Sequence, residues 1–313
     1  MAAPDDRVST RLVDGLNKLF GVHRGYRAAH AKGLCCVGVF KASAEAASLT
    51  RAAHMAGADV PVTVRFSNGA GNPQLPDGAP DGRGVAVRFH LADNRHTDLL
   101  AITAPIFPAR VPEDFIELMA ALTADPRTHL PDLKKIEAFK KAHPEQQAAL
   151  ALALGAPALA SYARAVNYAV HAFRFTNAVG QARFVRYTWQ PQAGTATITP
   201  EEAKRRPPDY LQTELRERPS AGPVVFTLHV QLAGDGDDVN DPATTWPESR
   251  SLVLVGTLRL SALVSDLRAG CEELVFDPTA VTDGIACSDD RILNARPGAF
   301  SVSYQRRTTP SRS

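Results

Sequence analysis

In residues 27–38, RAAHAKGLCCVG, a histidine, His30, stands directly before an apolar run, with Arg27 and Lys32 beside it. An imidazole that stays neutral near pH 7 can take a proton from one atom and return it to another, which is acid–base chemistry. Ser67, in the segment VRFSNGAGNP, carries a hydroxyl of the kind that sets a histidine's tautomer and ring orientation. Taken singly, His30 also suits a hydrogen-bonded structural role and Ser67 a turn. Arg27, Arg65 and Arg307 read singly as surface charges, and Phe107 and Phe115 as core packing.

The elements that must position these groups are visible as periodicities. Val8, Leu12, Leu16 and Leu19 recur at helical spacing and predict an amphipathic helix within residues 1–20. Strand patterns follow at residues 34–40 and 62–66, and at 85–89, where Val85, Val87 and Phe89 alternate with Ala86 and Arg88. The Gly- and Pro-rich stretch 68–84 reads as a connection between strands. Residues 112–155 turn helical, with Phe115, Leu118, Met119 and Leu122 on one stripe and Leu133, Ile136 and Phe139 on another. Strands resume at 183–189, at 224–232 and at 252–260. Strands on both sides of a helical insertion, with few βαβ units, predict a single α+β domain over 1–313 built on an antiparallel barrel.

Composition excludes several classes of partner. Lys and Arg number 35 and Asp and Glu 33, giving a net charge of +2 with no basic stripe, so nucleic acid is not expected. No run is long and apolar enough for membrane insertion, and the start lacks a secretory pattern, which reads as a cytoplasmic protein. Cys35, Cys36, Cys271 and Cys287 show no C-x-x-C pairing with histidine spacing, so buried free thiols are expected and a zinc site is not.

The ordered segments RAAHAKG, VRFSNGAGNP, DGRGVAVRF, DLLAITAPIFPARVPEDF, WPESR and LVFDPTAVTDGIACSDDRILNAR resemble the haem catalases, specifically their short catalase-related peroxidase branch. The resemblance spans about residues 20–307. It implies an antiparallel eight-stranded β-barrel with flanking and C-terminal helices, the last over 288–307, and a buried haem b. It also implies roles. His30 matches the histidine above the iron and Ser67 its hydrogen-bond partner. Arg27, Arg65 and Arg307 match holders of the haem propionates, and Phe107 and Phe115 line the same face.

Two departures from the family pattern stand out. Where hydrogen-peroxide catalases carry an asparagine, Thr103 offers one hydroxyl, a weaker polariser of peroxide, which favours peroxidase-type turnover. Where the family's axial tyrosine stands four residues after an arginine, Arg296 is followed by Phe300, which has no oxygen. Tyr304 is the nearby phenol, but on a regular helix it sits about 40° around and about 6 Å along from position 300. Pro297 and Gly298 make the local helix geometry an open point.

Three functions follow from the resemblance. One is a haem peroxidase acting on hydrogen peroxide or an organic hydroperoxide with a small organic reductant, as a homodimer. The second is a hydroperoxide isomerase or dehydratase like the allene oxide synthases. The third is a haem-free binding protein, for which Phe300 argues.

Overall fold

Apolar and polar alternation becomes eight strands that close on themselves in chain order. They are β1 (Gly33–Ala42), β2 (Asp59–Asn68), β3 (Arg83–His90), β4 (His96–Ile102), β5 (Asn167–Tyr168), β6 (Ala182–Pro191), β7 (Val224–Leu232) and β8 (Leu252–Leu263). In this computed structural model, which describes residues 6–128 and 130–309, each strand pairs antiparallel with the next and β8 returns to β1. Closure satisfies the backbone groups that an open sheet would leave at its edges. Register shifts at Val37/Gly38 and Leu228/His229 mark irregularities that help bend the sheet. A short pair, Phe173–Thr176 with Ile285–Cys287, extends the sheet beside β6.

The barrel is filled, not hollow. Phe40 packs edge-on against Phe89 at 5.1 Å and against Trp189 at 6.2 Å, with Phe66, Val64, Val87 and Leu228 buried in the same core. Each such large apolar side chain contributes about 2 kcal/mol by leaving water. His54 lies within this core, 4.6 Å from the Phe89 ring.

The longer helices are α1 (Asp6–Phe20), α2 (Pro112–Leu122), α3 (Leu133–Ala142), α4 (Gln147–Leu154), α5 (Tyr210–Ala221) and α6 (Arg291–Thr308). Residues 1–5 of the expected N-terminal helix lie outside the described residues. Pro112 opens α2, where its missing N–H removes no intrahelical bond, and Asp132 caps α3 by accepting from Lys134 N. Leu118, Ala121, Phe139 and Leu150 make a small core of their own. Of the second expected stripe, only Phe139 is buried, while Leu133 is 74% exposed. Helix α1 packs on both α2 and α6, leaving a space between the helices and the start of β1.

The free-thiol expectation fails for two of the four cysteines. Cys35 of β1 and Cys271 form a disulfide with Cα atoms 5.6 Å apart, while Cys36 and Cys287 stay free. The two partners are 236 residues apart, and barrel closure brings them together, so local spacing carries no trace of the pairing.

Candidate active site

His30 lies in the segment entering β1, and its backbone has φ 55°, the left-handed region that non-glycine residues seldom adopt. Such a conformation costs about 1 kcal/mol or more and persists only where neighbours enforce it. Here three bonds do so. His30 N donates to Gly69 O at 2.9 Å and Ala31 N to Ala70 O at 3.1 Å. Arg65 Nη1 donates to the His30 carbonyl at 2.9 Å.

The imidazole rests over a cross-strand pair. Ser67 of β2 stands opposite Gly84 of β3, and His30 Nδ1 lies 3.0 Å from Ser67 Oγ. A Cβ at position 84 would fall 2.7 Å from His30 Cε1, so only glycine lets the ring approach the sheet. With Nδ1 engaged, Nε2 is the nitrogen left to exchange protons. Burial, helped by the positive charges of Arg65, Arg296 and Arg27, pushes His30 down to about 3. The ring is therefore neutral near pH 7 and ready to accept a proton.

Lys32, which flanks His30 in sequence, turns away from this chemistry. It is buried and bridges Asp77 at 2.8 Å and Asp209 at 2.6 Å, pinning a loop.

A cavity of about 160 Å³ opens beside His30 and Ser67. One wall is helix α6, where Arg296, Ala299, Phe300, Ser303, Tyr304 and Arg307 recur at spacings of three and one and so share a helical face. Helix α6 is continuous through Pro297. Phe300 thus faces the cavity one turn after Arg296. Tyr304 follows a turn later, with the Arg307 guanidinium 5.2 Å from its ring.

At one end Arg27, Arg65 and Arg307 converge. Burial holds all three below the ordinary arginine range, opposed at Arg27 by the carboxylate of Glu272. Arg65 Nε and Arg307 Nη1 are buried without a hydrogen-bond partner among the described residues. For haem, a planar macrocycle with two carboxylates at one edge, this end fits: orphaned guanidinium nitrogens are what such carboxylates engage. The donor set is less complete at the metal. Phe300 offers no oxygen, and Tyr304 is the one phenol on this wall among the described residues.

Thr103 does not line this inner cavity. Its Oγ1 accepts from Arg83 N at 3.1 Å, leaving its own proton to donate, and it faces an outer, largely apolar cavity of about 470 Å³. Phe107 and Phe115, with ring centroids 5.0 Å apart, line that outer space too. The two cavities meet at Leu16, Ala29, His30 and Ile102. Ile102, the residue before Thr103, lines both cavities with His30 and stands opposite Gly84 in the sheet.

The sequence reading missed a second polar network. His171 Nδ1 and Asp290 Oδ2 are 2.6 Å apart and both buried. The other Asp290 oxygen caps α6, accepting from Ile292 N at 2.8 Å and Leu293 N at 3.1 Å, where the helix's positive end favours a carboxylate. Burial, then the charge of Arg296, lowers the His171 pKa, while Asp290 opposes the shift. The Arg296 guanidinium lies 5.4 Å from the Phe107 ring, its Nε without a partner among the described residues. Asp290 falls inside the helix expected from residue 288, whereas the structure starts that helix at Arg291 and makes Asp290 its cap. For His171 there was no sequence signal.

Fold comparison matches this barrel to a fungal catalase with a TM-score of 0.82, at 25% identity, over 91% of this chain and 60% of that one. In sequence, a catalase-related peroxidase of Mycolicibacterium paratuberculosis is 40% identical over 297 residues, 95% of this chain and 93% of the relative. A catalase-related peroxidase of Synechococcus elongatus is 36% identical over 298 residues, 95% of this chain and 88% of the relative. The family model for catalase matches residues 21–311, which take in the His30 segment, the whole barrel and the cavity wall of α6. By fold, by sequence and by the span of that match, the chain belongs to the catalase family, in its short branch of catalase-related peroxidases.

Proposed function

We propose that this chain is a haem-dependent peroxidase that reduces hydrogen peroxide or an organic hydroperoxide with electrons from a small organic donor. In balance, ROOH and two donor molecules AH give ROH, water and two oxidised donors A. The observation that carries the reading is His30: neutral, fixed through Nδ1 by Ser67, and set on a cavity ended by three arginines. Similarity to catalase-related peroxidases over 95% of the chain favours it over a hydroperoxide rearrangement or a haem-free binding role.

When bound, haem supplies the redox chemistry at the O–O bond. The chain's own residues do the rest. Arg27, Arg65 and Arg307 would hold the two propionates, and Arg296 would place its charge beside the face carrying Phe300 and Tyr304. His30 takes the proton from one peroxide oxygen and delivers it to the other, so that the departing oxygen leaves as water or alcohol. Ser67 keeps the ring turned for that exchange. The outer cavity, with Phe107, Phe115 and Thr103 on its walls, admits the peroxide and limits water. A wide apolar approach favours organic hydroperoxides among the substrates.

No helix among the described residues is long and apolar enough to cross a membrane. A cytoplasmic homodimer completes the proposal. The Cys35–Cys271 bond is compatible with that location, because both cysteines are fully buried and shielded from reductants.

The test is a titration with ferric haem followed by donor oxidation in the presence of peroxide. His30→Ala is expected to bind haem like the parent and to lose turnover by about 100-fold or more. Equal turnover in the two proteins would remove His30 from the reaction.

A further inference from the structure

The arginines at the end of the cavity already pair with a carboxylate from the chain. Glu272 pairs with Arg27 Nη1 and lies 3.7 Å from Arg65 Nη2 through its other oxygen. The remaining terminal nitrogen of Arg27 donates to the carbonyls of Cys271 and Leu274, both at 3.0 Å. Arg65 Nη1 and Nη2 donate to the carbonyls of His30 and Ala31. The terminal nitrogens of both arginines are thus engaged by the chain itself. A carboxylate arriving from the cavity meets Glu272 as a rival for Arg27 and Arg65.

Glu272 is not a chance surface group at this position. In the pairing of β1 with β2, Cys35 stands directly opposite Arg65, and Cys35 is bonded to Cys271, the residue before Glu272. The cross-link therefore delivers the Glu272 carboxylate to the guanidinium across the strand pair. A tethered rival acts at a high effective concentration, which a free ion in solution does not match.

We infer that Glu272 is an intramolecular competitor at the arginine end, and that it sets how tightly the cavity holds ligands bearing carboxylates. The inference rests on reading the cavity as a tetrapyrrole site. It makes Glu272 an affinity-setting residue and gives the cross-link a task at the site: holding that competitor in place.

The probes are metal-free protoporphyrin and its dimethyl ester, which share the same ring but differ in carboxylate charge. Their binding to the full chain is read from porphyrin and tryptophan fluorescence, independent of any turnover. Glu272→Gln and Glu272→Ala should each bind the diacid about tenfold more tightly than the parent, with the diester unchanged. Unchanged or weaker binding of the diacid, or an equal gain for the diester, overturns the role of Glu272 and leaves the cavity reading intact. If neither porphyrin binds the parent or the variants, the tetrapyrrole reading fails and the inference falls with it.

Discussion

The His30 ring lies so near Gly84 that a methyl group there would stand 2.7 Å from His30 Cε1 and 2.9 Å from Nδ1. Gly84 also faces Ser67 across the strand pair, so one missing side chain makes room for the histidine and keeps its hydroxyl partner in reach.

Gly84→Ala should leave the barrel folded but push the imidazole off Ser67. Peroxide turnover is expected to fall by about 10- to 100-fold, the usual penalty for displacing a catalytic group by a fraction of an ångström to an ångström. Steady-state donor oxidation, with circular dichroism as the folding control, checks this. Parental rates in a folded variant would contradict it.

Phe300→Tyr should supply a phenol oxygen at position 300, where the α6 wall now carries only a phenyl ring. Arg296, one turn before it on the same face, would favour the ionised phenol. Ferric haem is expected to bind about tenfold or more tightly and to acquire a phenolate-to-iron absorption band. An unchanged spectrum would place the metal away from position 300.

Acid should weaken the fold in a defined window. Burial lowers both His30 and His54 to about 3, against 6.5 for the unfolded chain. Above pH 6.5 the two states carry the same protons at these rings, and the rings add no pH dependence. As pH falls from 6.5 toward 3, the unfolded chain takes up protons that the folded chain refuses, so stability drops. Urea unfolding across this range should show stability falling as pH drops, and His54→Phe should lessen the slope by up to about one proton. Because His30 stays neutral well below pH 6.5, turnover should show no loss centred near pH 6.5. A midpoint there would contradict its low pKa.

Asp290→Ala removes the cap of α6 and the partner of buried His171 in one step. A loss of about 2–4 kcal/mol is expected, combining a helix cap with a buried charge-assisted bond. Asp290→Asn keeps part of the cap and should lose less. Chemical denaturation orders the three proteins, and an equal loss in both variants would remove the cap from the account.

The strands were legible because inward positions repeat every second residue, as in Val85, Val87 and Phe89, and such a pattern survives without neighbours. The helices of 112–155 were legible in outline. Leu133, on the second stripe, is exposed: periodicity names a face without saying what covers it. His30, Ser67 and the arginines were reachable only as segments in a family order. The His171–Asp290 contact spans 119 residues and the Cys35–Cys271 bond 236, distances over which no local pattern persists. The surroundings of Thr103 were also out of reach. Its hydroxyl accepts from Arg83 N beyond the end of β4, and Ile102 lines the inner cavity in its place.

The wall opposite His30 belongs to one uninterrupted helix, anchored at its start by Asp290 and carrying every cavity residue from Arg296 to Arg307. Inserting or deleting one residue near its start would swing that whole wall by about 100°, replacing all its cavity side chains together. A change in the length of the chain that bears the wall is therefore far more disruptive to the cavity than the exchange of any one side chain on it.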